Sequence, residues 1–147
     1  KLIIKVPTVE DNLFEPEETF TLTISNVVNG ALFDGNALGT IEDDDVPSFA
    51  GDIQPVLVLR CAIAGCHGGT SAEGGLNLGS ATYHAVLHGS GSHGPIVVPG
   101  DAAASSLYFK TTSSPQFELR MPPGGPYVPT SDQEKIRDWI NGGAPDN

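Results

Sequence analysis

The two cysteines of this chain lie close together, and a histidine directly follows the second one. They stand in the segment Cys61-Ala-Ile-Ala-Gly-Cys66-His67, and no other cysteine occurs among the 147 residues. Two thiols can form thioethers with the vinyl groups of a haem, and an adjacent imidazole can take one axial position on its iron. The usual spacing places two residues between the cysteines, whereas this chain has four. The segment therefore predicts one covalent haem c, attached through Cys61 and Cys66, with His67 as an axial ligand.

The single methionine is the predicted second axial ligand. Met121 stands in the run Arg-Met-Pro-Pro-Gly-Gly. A thioether on a proline-stiffened loop is typical of a sixth iron ligand that raises the reduction potential. The rivals for this position are His84, His88 and His93.

The cysteines also allow two roles without haem. Cys61 and Cys66 could form a plain disulfide in an oxidising compartment. They could instead bind zinc with His67 and one further ligand that the sequence does not identify. Neither role accounts for a histidine placed directly after the second cysteine, nor for a lone methionine on a Pro-Pro-Gly loop. His84 and His88 have the i, i+4 spacing of a zinc or copper pair, but no third ligand is evident, and surface imidazoles would show the same spacing.

The charge of the chain restricts its partners. The chain has 7 Lys and Arg against 18 Asp and Glu, a net charge of −11, of which residues 1–46 carry −8. A nucleic-acid partner is not expected, because such proteins present a basic surface. An acidic protein instead favours cations or a basic redox partner.

The apolar runs and the cysteines bear on location. No run is long and apolar enough to span a bilayer, so we expect no membrane span in this chain. Cysteines at a haem-attachment spacing suit an oxidising compartment, such as the bacterial periplasm or the cell surface. The chain does not begin with Met, and we interpret Lys1 as the start of a mature or cut chain.

Residues 1–46 are predicted to form a β domain. Strands are expected over Lys1–Val9, Thr19–Ile24 and Ala37–Glu42, and in the second of these Phe20, Leu22 and Ile24 share one face while threonines occupy the other. Three strands bury too little apolar surface to form a stable domain on their own. The sandwich is therefore expected to be incomplete, with its other half upstream or supplied by a neighbouring chain.

This region resembles the C-terminal half of a Calx-beta domain. The resemblance rests on the run Val-Glu-Asp-Asn-Leu-Phe-Glu-Pro-Glu-Glu-Thr-Phe-Thr-Leu over 9–22 and on Gly-Thr-Ile-Glu-Asp-Asp-Asp over 39–45. It implies a Greek-key β sandwich and, in some members, Ca²⁺ bound at one end. The residues that match the family's calcium ligands are Asp11, Glu15, Glu18, Asp43, Asp44 and Asp45. The alternative is that these carboxylates keep an edge strand soluble and cap turns.

Residues 47–147 are predicted to be mainly helical. Helices are expected over 49–59 with Ser48 as the cap and a bend at Pro55, over 81–88 with Ser80 as the cap, and over 105–110. A last helix is expected to open at Thr130 or Ser131, with a capping box over 131–134. Its buried stripe is predicted to be Ile136, Trp139 and Ile140. Because glycine and proline are abundant here, we expect a haem to form the interior of this half.

The order of motifs in this half resembles a c-type cytochrome domain of planctomycete type. The matching segments are 61–68, Gly74-Gly75-Leu76, Val98-Pro99-Gly100-Asp101, Ser106-Leu107-Tyr108, Met121-Pro122-Pro123-Gly124 and Trp139–Ala144. The resemblance implies a compact, class I-like helical cytochrome c fold with His67 and Met121 on the iron. The predicted function is electron transfer by a single haem, not enzymatic catalysis. The alternatives are a peroxidase or gas sensor with a labile sixth ligand, and a structural surface module.

Overall fold

The chain divides after Asp45 into two compact units, whereas the sequence predicted the boundary after Val46. The computed structural model describes residues 3–9, 11, 14–15, 17–69, 72–79, 82–113 and 119–147. In these ranges the first unit has one small antiparallel sheet, and the second combines four helices with a short hairpin. A β part is thus followed by a helical part, as predicted at this coarse level.

The sheet of the first unit is a two-stranded hairpin. Strand β1 (Glu18–Thr23) pairs antiparallel with β2 (Asn36–Ile41), and Phe20 lies opposite Gly39. Phe20 and Leu22 are half-buried while the threonines of the strand are exposed, which confirms the predicted alternation for these residues. Ile24, the third residue predicted on this face, is 45% exposed and follows the end of β1. A side chain at position 39 would collide with the Phe20 ring, so the glycine lets the aromatic ring cross the strand.

The predicted first strand is wrong over the part of Lys1–Val9 that the structure describes. Residues 3–9 form no strand, and Ile3 and Val9 are 74% and 94% exposed. β-Branched residues favour a strand only where a neighbouring strand supplies hydrogen bonds and packing, and this segment pairs with neither β1 nor β2. Two strands make no sandwich, so the Calx-beta resemblance and its Greek key stay a prediction.

The second unit contains the remaining elements. Their bounds are α1 (Gln54–Arg60), α2 (Tyr83–Leu87), β3 (Ser90–Gly91), β4 (Gly94–Pro95), α3 (Ser106–Thr111) and α4 (Thr130–Asn141). Strands β3 and β4 form a second antiparallel pair. None of the helices in the described ranges combines the length and apolar character that a bilayer crossing requires.

Apolar side chains form a core in the second unit. That a haem forms the interior of this half stays a prediction. Trp139 is fully buried, its ring centroid lies 5.5 Å from that of Phe49, and its indole N–H donates to the Pro145 carbonyl at 2.9 Å. The predicted stripe of Ile136, Trp139 and Ile140 is confirmed. Enough large side chains converge between α1 and α4 to offset the many glycines outside the helices.

The first helix begins later than predicted. A wide π-type turn over Phe49–Ile53 precedes α1, and the Ser48 hydroxyl accepts from the Gly51 N–H at 2.8 Å. Pro55 consequently lies in the first turn of α1, where its missing N–H is not needed. Ser48 is confirmed as a cap, and the bend at Pro55 stays a prediction.

The caps of α2 and α4 also differ from prediction. Ser80 lies outside the described residues, and the hydroxyl of Thr82 accepts from the Ala85 N–H at the start of α2. Helix α4 begins after Pro129, with no side-chain hydrogen bond at its cap, so the predicted capping box is wrong. The restricted φ of Pro129 sets the direction in which the chain enters α4, which a side-chain cap would otherwise do.

Candidate functional site

Helix α1 delivers Cys61 to the edge of the apolar core. The Cys61 N–H donates to the Leu57 carbonyl at 2.9 Å, so the cysteine occupies the C-cap of the helix. Leu57 is fully buried, and Cys61 packs half-buried against the same core. The backbone position of this thiol is therefore fixed by the helix.

The four residues between the cysteines fold back on the end of α1. The His67 N–H donates to the Cys61 carbonyl at 3.2 Å, and the Gly68 N–H donates to the Ile63 carbonyl at 3.1 Å. Gly65 has a φ of +82°, and a side chain at Gly68 would collide with the Ala62 backbone. Both glycines are needed for a loop that closes this tightly, because other residues disfavour positive φ or close backbone approach.

The His67 imidazole is oriented by a backbone hydrogen bond. Its Nδ1 lies 3.2 Å from the Leu76 carbonyl oxygen, and the Leu78 N–H donates to the His67 carbonyl at 2.6 Å. A carbonyl oxygen can only accept, so Nδ1 carries the proton in this contact. In the neutral ring Nε2 then keeps its lone pair, which is the arrangement of a metal-ligating histidine.

Cys61, His67 and Met121 line one cavity of about 330 Å³. Its apolar wall consists mainly of Leu76, Leu78, Ile96, Leu107 and Leu119. The volume falls at the lower end of the roughly 300–1,000 Å³ that ligand pockets occupy. An apolar cavity with a thiol, a histidine and a thioether in its wall has the donor set that haem c requires, so these three residues fit the group.

Cys66 does not fit as well as Cys61. Its side chain is half-buried, but it is not among the described residues that line the cavity. The Cys66 N–H donates to the Ile63 carbonyl at 3.0 Å within the closed loop. Attachment through this second cysteine stays a prediction, and it requires the thiol to turn toward the cavity.

The loop that carries Met121 is tied to α3. The Met121 N–H donates to the Lys110 carbonyl at 2.6 Å, and the neighbouring Arg120 donates through Nε to the Thr111 carbonyl at 2.8 Å. The Arg120 guanidinium also lies 4.2 Å from the centre of the Tyr127 ring. No arginine is among the described residues that line the cavity, so Arg120 positions the loop and does not face the cavity.

The three other histidines separate into two groups. His84 and His88 are exposed and lie beside each other, with ring centroids 4.6 Å apart and ring planes inclined at 51°, and neither lines the cavity. The structure brings no third metal-ligating side chain to them within the described ranges. His93, at the tip of the β3–β4 hairpin, does line the cavity.

Burial raises the pKa of the Cys61 thiol to about 11. Loss of solvent is the largest cause, the positive charge of Arg60 opposes it, and the neighbouring Cys66 adds to it. A thiol with this pKa is almost fully protonated at neutral pH and is a poor nucleophile.

Several polar residues of the cavity wall were missed by the sequence reasoning. Glu73, Ser106 and Lys110 line it, and the last two come from one face of α3. The i, i+4 spacing of Ser106 and Lys110 in the predicted helix over 105–110 was the available signal. The Leu76 carbonyl that orients His67 had no signal, because a backbone acceptor is not encoded by residue type.

Residues 64–125 match the family model described as planctomycete cytochrome C. The matched range contains Cys66, His67 and Met121, and it begins after Cys61. A cytochrome c domain carries covalently bound haem, so the match supports a haem c electron-transfer module in the second unit. No curated protein and no solved structure matches the chain.

The acidic residues of the first unit gather around a second, smaller cavity of about 90 Å³. Its wall includes the six carboxylates assigned to calcium, namely Asp11, Glu15, Glu18, Asp43, Asp44 and Asp45. Backbone N–H groups of Glu15 and Asp45 donate to the two carboxylate oxygens of Asp43 at 2.7 and 3.2 Å. No group of three or more potential ligands within the described ranges has the geometry of a metal site. Calcium binding stays a prediction.

The pKa of Asp45 is raised above its ordinary value. Partial burial is the largest cause, followed by the negative charges of Asp43, Asp44 and Asp11. The neighbouring carboxylates therefore disfavour the charged form of Asp45.

Proposed function

We propose that residues 46–147 form a single-haem c-type electron-transfer module. Cys61 and Cys66 attach the haem, His67 binds the iron through Nε2, and Met121 supplies the sixth ligand. The observation that carries this proposal is that Cys61, His67 and Met121, which lie up to sixty residues apart in sequence, line one apolar cavity.

The residues of the cavity set how the module works. A haem supplies a one-electron couple, and the protein tunes it through its axial ligands, burial and hydrogen bonds. The Leu76 carbonyl holds His67 in one tautomer and raises its basicity, while the leucine wall excludes water. Two protein ligands leave no position for a substrate, so the module carries electrons and is not an enzyme.

A peroxidase or gas sensor would need an open iron position and polar groups above it. The arginine nearest in sequence to Met121, Arg120, is engaged with the Thr111 carbonyl and the Tyr127 ring. The described residues of the cavity wall include polar side chains but no arginine, so the wall lacks the paired arginine and histidine that a peroxidase would use. A structural surface module remains compatible with the first unit but does not use the cavity.

The proposed setting is the periplasm or cell surface of a bacterium, where thioether-linked haem proteins reside. The redox partner is proposed to be a basic protein, because the chain has a net charge of −11. We further propose that the first unit completes its sheet with strands from an upstream half or from a neighbouring chain. The exposed apolar residues of this unit, such as Val9, Phe33 and Leu38, support such a partner.

The test is to produce the full chain in a bacterial host that attaches haem c and to measure the haem that stays bound after denaturation. We expect the porphyrin absorption to remain with the polypeptide in denaturant and after acid–organic extraction. The mass should equal that of the chain plus one haem. The Cys61→Ala/Cys66→Ala variant should lose its haem in the same extraction.

The matched control is His84→Ala, which removes an exposed histidine away from the cavity and should leave the haem attached and the spectrum unchanged. A native chain that releases all of its porphyrin would refute covalent attachment. Rapid CO binding by the native ferrous protein would favour an open iron position over electron transfer.

A further inference from the structure

We propose that His93 is a second sixth ligand, which takes the iron position when Met121 is absent or displaced. This inference rests on the proposed function. His67, His93 and Met121 all line the same cavity, so three candidate ligands face two axial positions. His67 is committed by its hydrogen bond to the Leu76 carbonyl, which leaves His93 and Met121 as competitors.

His93 stands at the tip of a short hairpin whose base is anchored. The Ile96 N–H donates to the Gly89 carbonyl at 3.0 Å, and Ile96 itself is buried and accepts from the Leu107 N–H at 3.0 Å. The base of the hairpin is therefore part of the core. Ile96 also lines the cavity, so the hairpin forms one of its walls.

The hairpin that carries His93 is short. Strands β3 and β4 have two residues each, and Ser90 lies opposite Pro95, which has no N–H to donate. The Ser90 hydroxyl reaches the Gly94 carbonyl only at 3.5 Å. Around Gly91 and Gly94 the space that a side chain would occupy is empty. This short hairpin carries His93 between its two strands, in the wall of the cavity.

Met121 is held differently, because its own backbone is fixed to α3 by the 2.6 Å hydrogen bond to Lys110. A thioether and an imidazole then share one cavity. Imidazole is the harder and more basic ligand and stabilises ferric iron, whereas the softer thioether favours the ferrous state and raises the potential. Replacement of Met121 by His93 should therefore lower the reduction potential while the iron stays low-spin.

The test compares the holoproteins of Met121→Leu, Met121→Leu/His93→Ala and the control Met121→Leu/His84→Ala. Leucine matches methionine in volume, so it removes the ligand with little effect on packing. We expect Met121→Leu and the control to stay low-spin, to resist CO and to have a lower potential than the native protein. Met121→Leu/His93→Ala should become high-spin and bind CO. Electron paramagnetic resonance, absorption spectra and potentiometry are the readouts.

Two results would overturn the inference alone. A high-spin, CO-binding Met121→Leu protein would show that His93 does not reach the iron, and so would a Met121→Leu/His93→Ala protein that stays low-spin. In both cases the haem remains covalently attached, so the proposed function survives. A native chain without covalent haem would overturn the proposed function and this inference together.

Discussion

At the scale of single residues, the two cysteines occupy unequal positions. Cys61 is fixed at the end of α1 and lines the cavity, whereas Cys66 lies within a closed loop and does not line it. The sequence motif assigns the same role to both cysteines, but their positions in the structure differ. One thiol is already beside the cavity, and the other depends on its loop.

The first prediction concerns the reactivity of Cys61 in the haem-free chain. In the Cys66→Ser variant, alkylation by iodoacetamide at pH 8 should be about a hundredfold slower in the native chain than in urea. The reason is that burial raises the pKa of Cys61 from 9.0 to about 11, which lowers the reactive thiolate fraction by that order. Mass spectrometry gives the rates. Equal rates in the two conditions would contradict the buried position of this thiol.

The second residue-scale prediction concerns Asp45. Its pKa is raised in the folded unit, so the folded state binds this proton more tightly than the unfolded state. Stability from this group is then fully present below the unfolded pKa of about 3.9 and is lost as pH rises through the raised folded pKa. Asp45→Asn should therefore slow hydrogen exchange of the β1 and β2 amides at pH 7.

The control for this prediction is Glu17→Gln, an exposed change outside the acidic cavity, which should have no such effect. Exchange is followed by mass spectrometry, with rates corrected for the intrinsic pH dependence of the amides. The advantage of Asp45→Asn should disappear at pH 3, where the carboxyl of the native chain is also neutral. An advantage that persists at pH 3 would assign the effect to packing and not to charge.

At the scale of elements, α1 has one face in the core and one in solvent. Leu57 is fully buried, whereas Leu59, two residues later on the same helix, is 71% exposed. Leu57→Ala should lower the free energy of unfolding by about 2–5 kcal/mol, because it leaves a cavity in the core. Leu59→Ala should change it by at most about 0.5 kcal/mol. Urea unfolding of the full chain measures both, and equal costs would mean that α1 does not pack as described.

At the scale of the whole molecule, the second unit has a core of apolar side chains. Most of these core residues do not line the proposed haem cavity. The haem-free Cys61→Ala/Cys66→Ala chain should therefore retain a cooperative urea transition. Trp139 fluorescence reports it, because this tryptophan is fully buried and is the only one in the chain. The native holoprotein should unfold at a higher urea concentration, since a bound group stabilises the folded state. A haem-free chain without any transition would mean that the second unit needs bound haem to fold.

The calcium prediction also belongs to this scale, because the predicted ligands come from two separate stretches of the first unit, residues 11–18 and 43–45. If the acidic cavity binds Ca²⁺, millimolar calcium should slow hydrogen exchange in β1 and β2, since bound cation neutralises the repelling carboxylates. Magnesium at the same concentration is the control for ionic strength. An identical effect of both ions, or no effect of either, would mean that these carboxylates bind no specific calcium and serve to keep the edge strand soluble.

The local patterns of the sequence determined much of the structure. Alternation of Phe20 and Leu22 with threonines defined β1, and the spacing of Ile136, Trp139 and Ile140 defined the buried face of α4. These predictions succeeded because they depend on periodicity within one element. The haem chemistry was readable for a similar reason, since two cysteines, a histidine and a lone methionine are rare residue types with specific ligand roles.

Only the tertiary structure decided which of these groups come together. It brought Cys61, His67, Met121 and His93 to one cavity, and it left His84 and His88 on the exposed side of α2. It also showed how many further side chains join the predicted stripe of α4 in one core, and no strand at residues 3–9 where β-branched residues predicted one. The physical reason is that burial and strand pairing are properties of distant contacts. Composition and local pattern give the structural propensity of a segment, whereas its contacts with distant residues determine whether it pairs, packs or stays exposed.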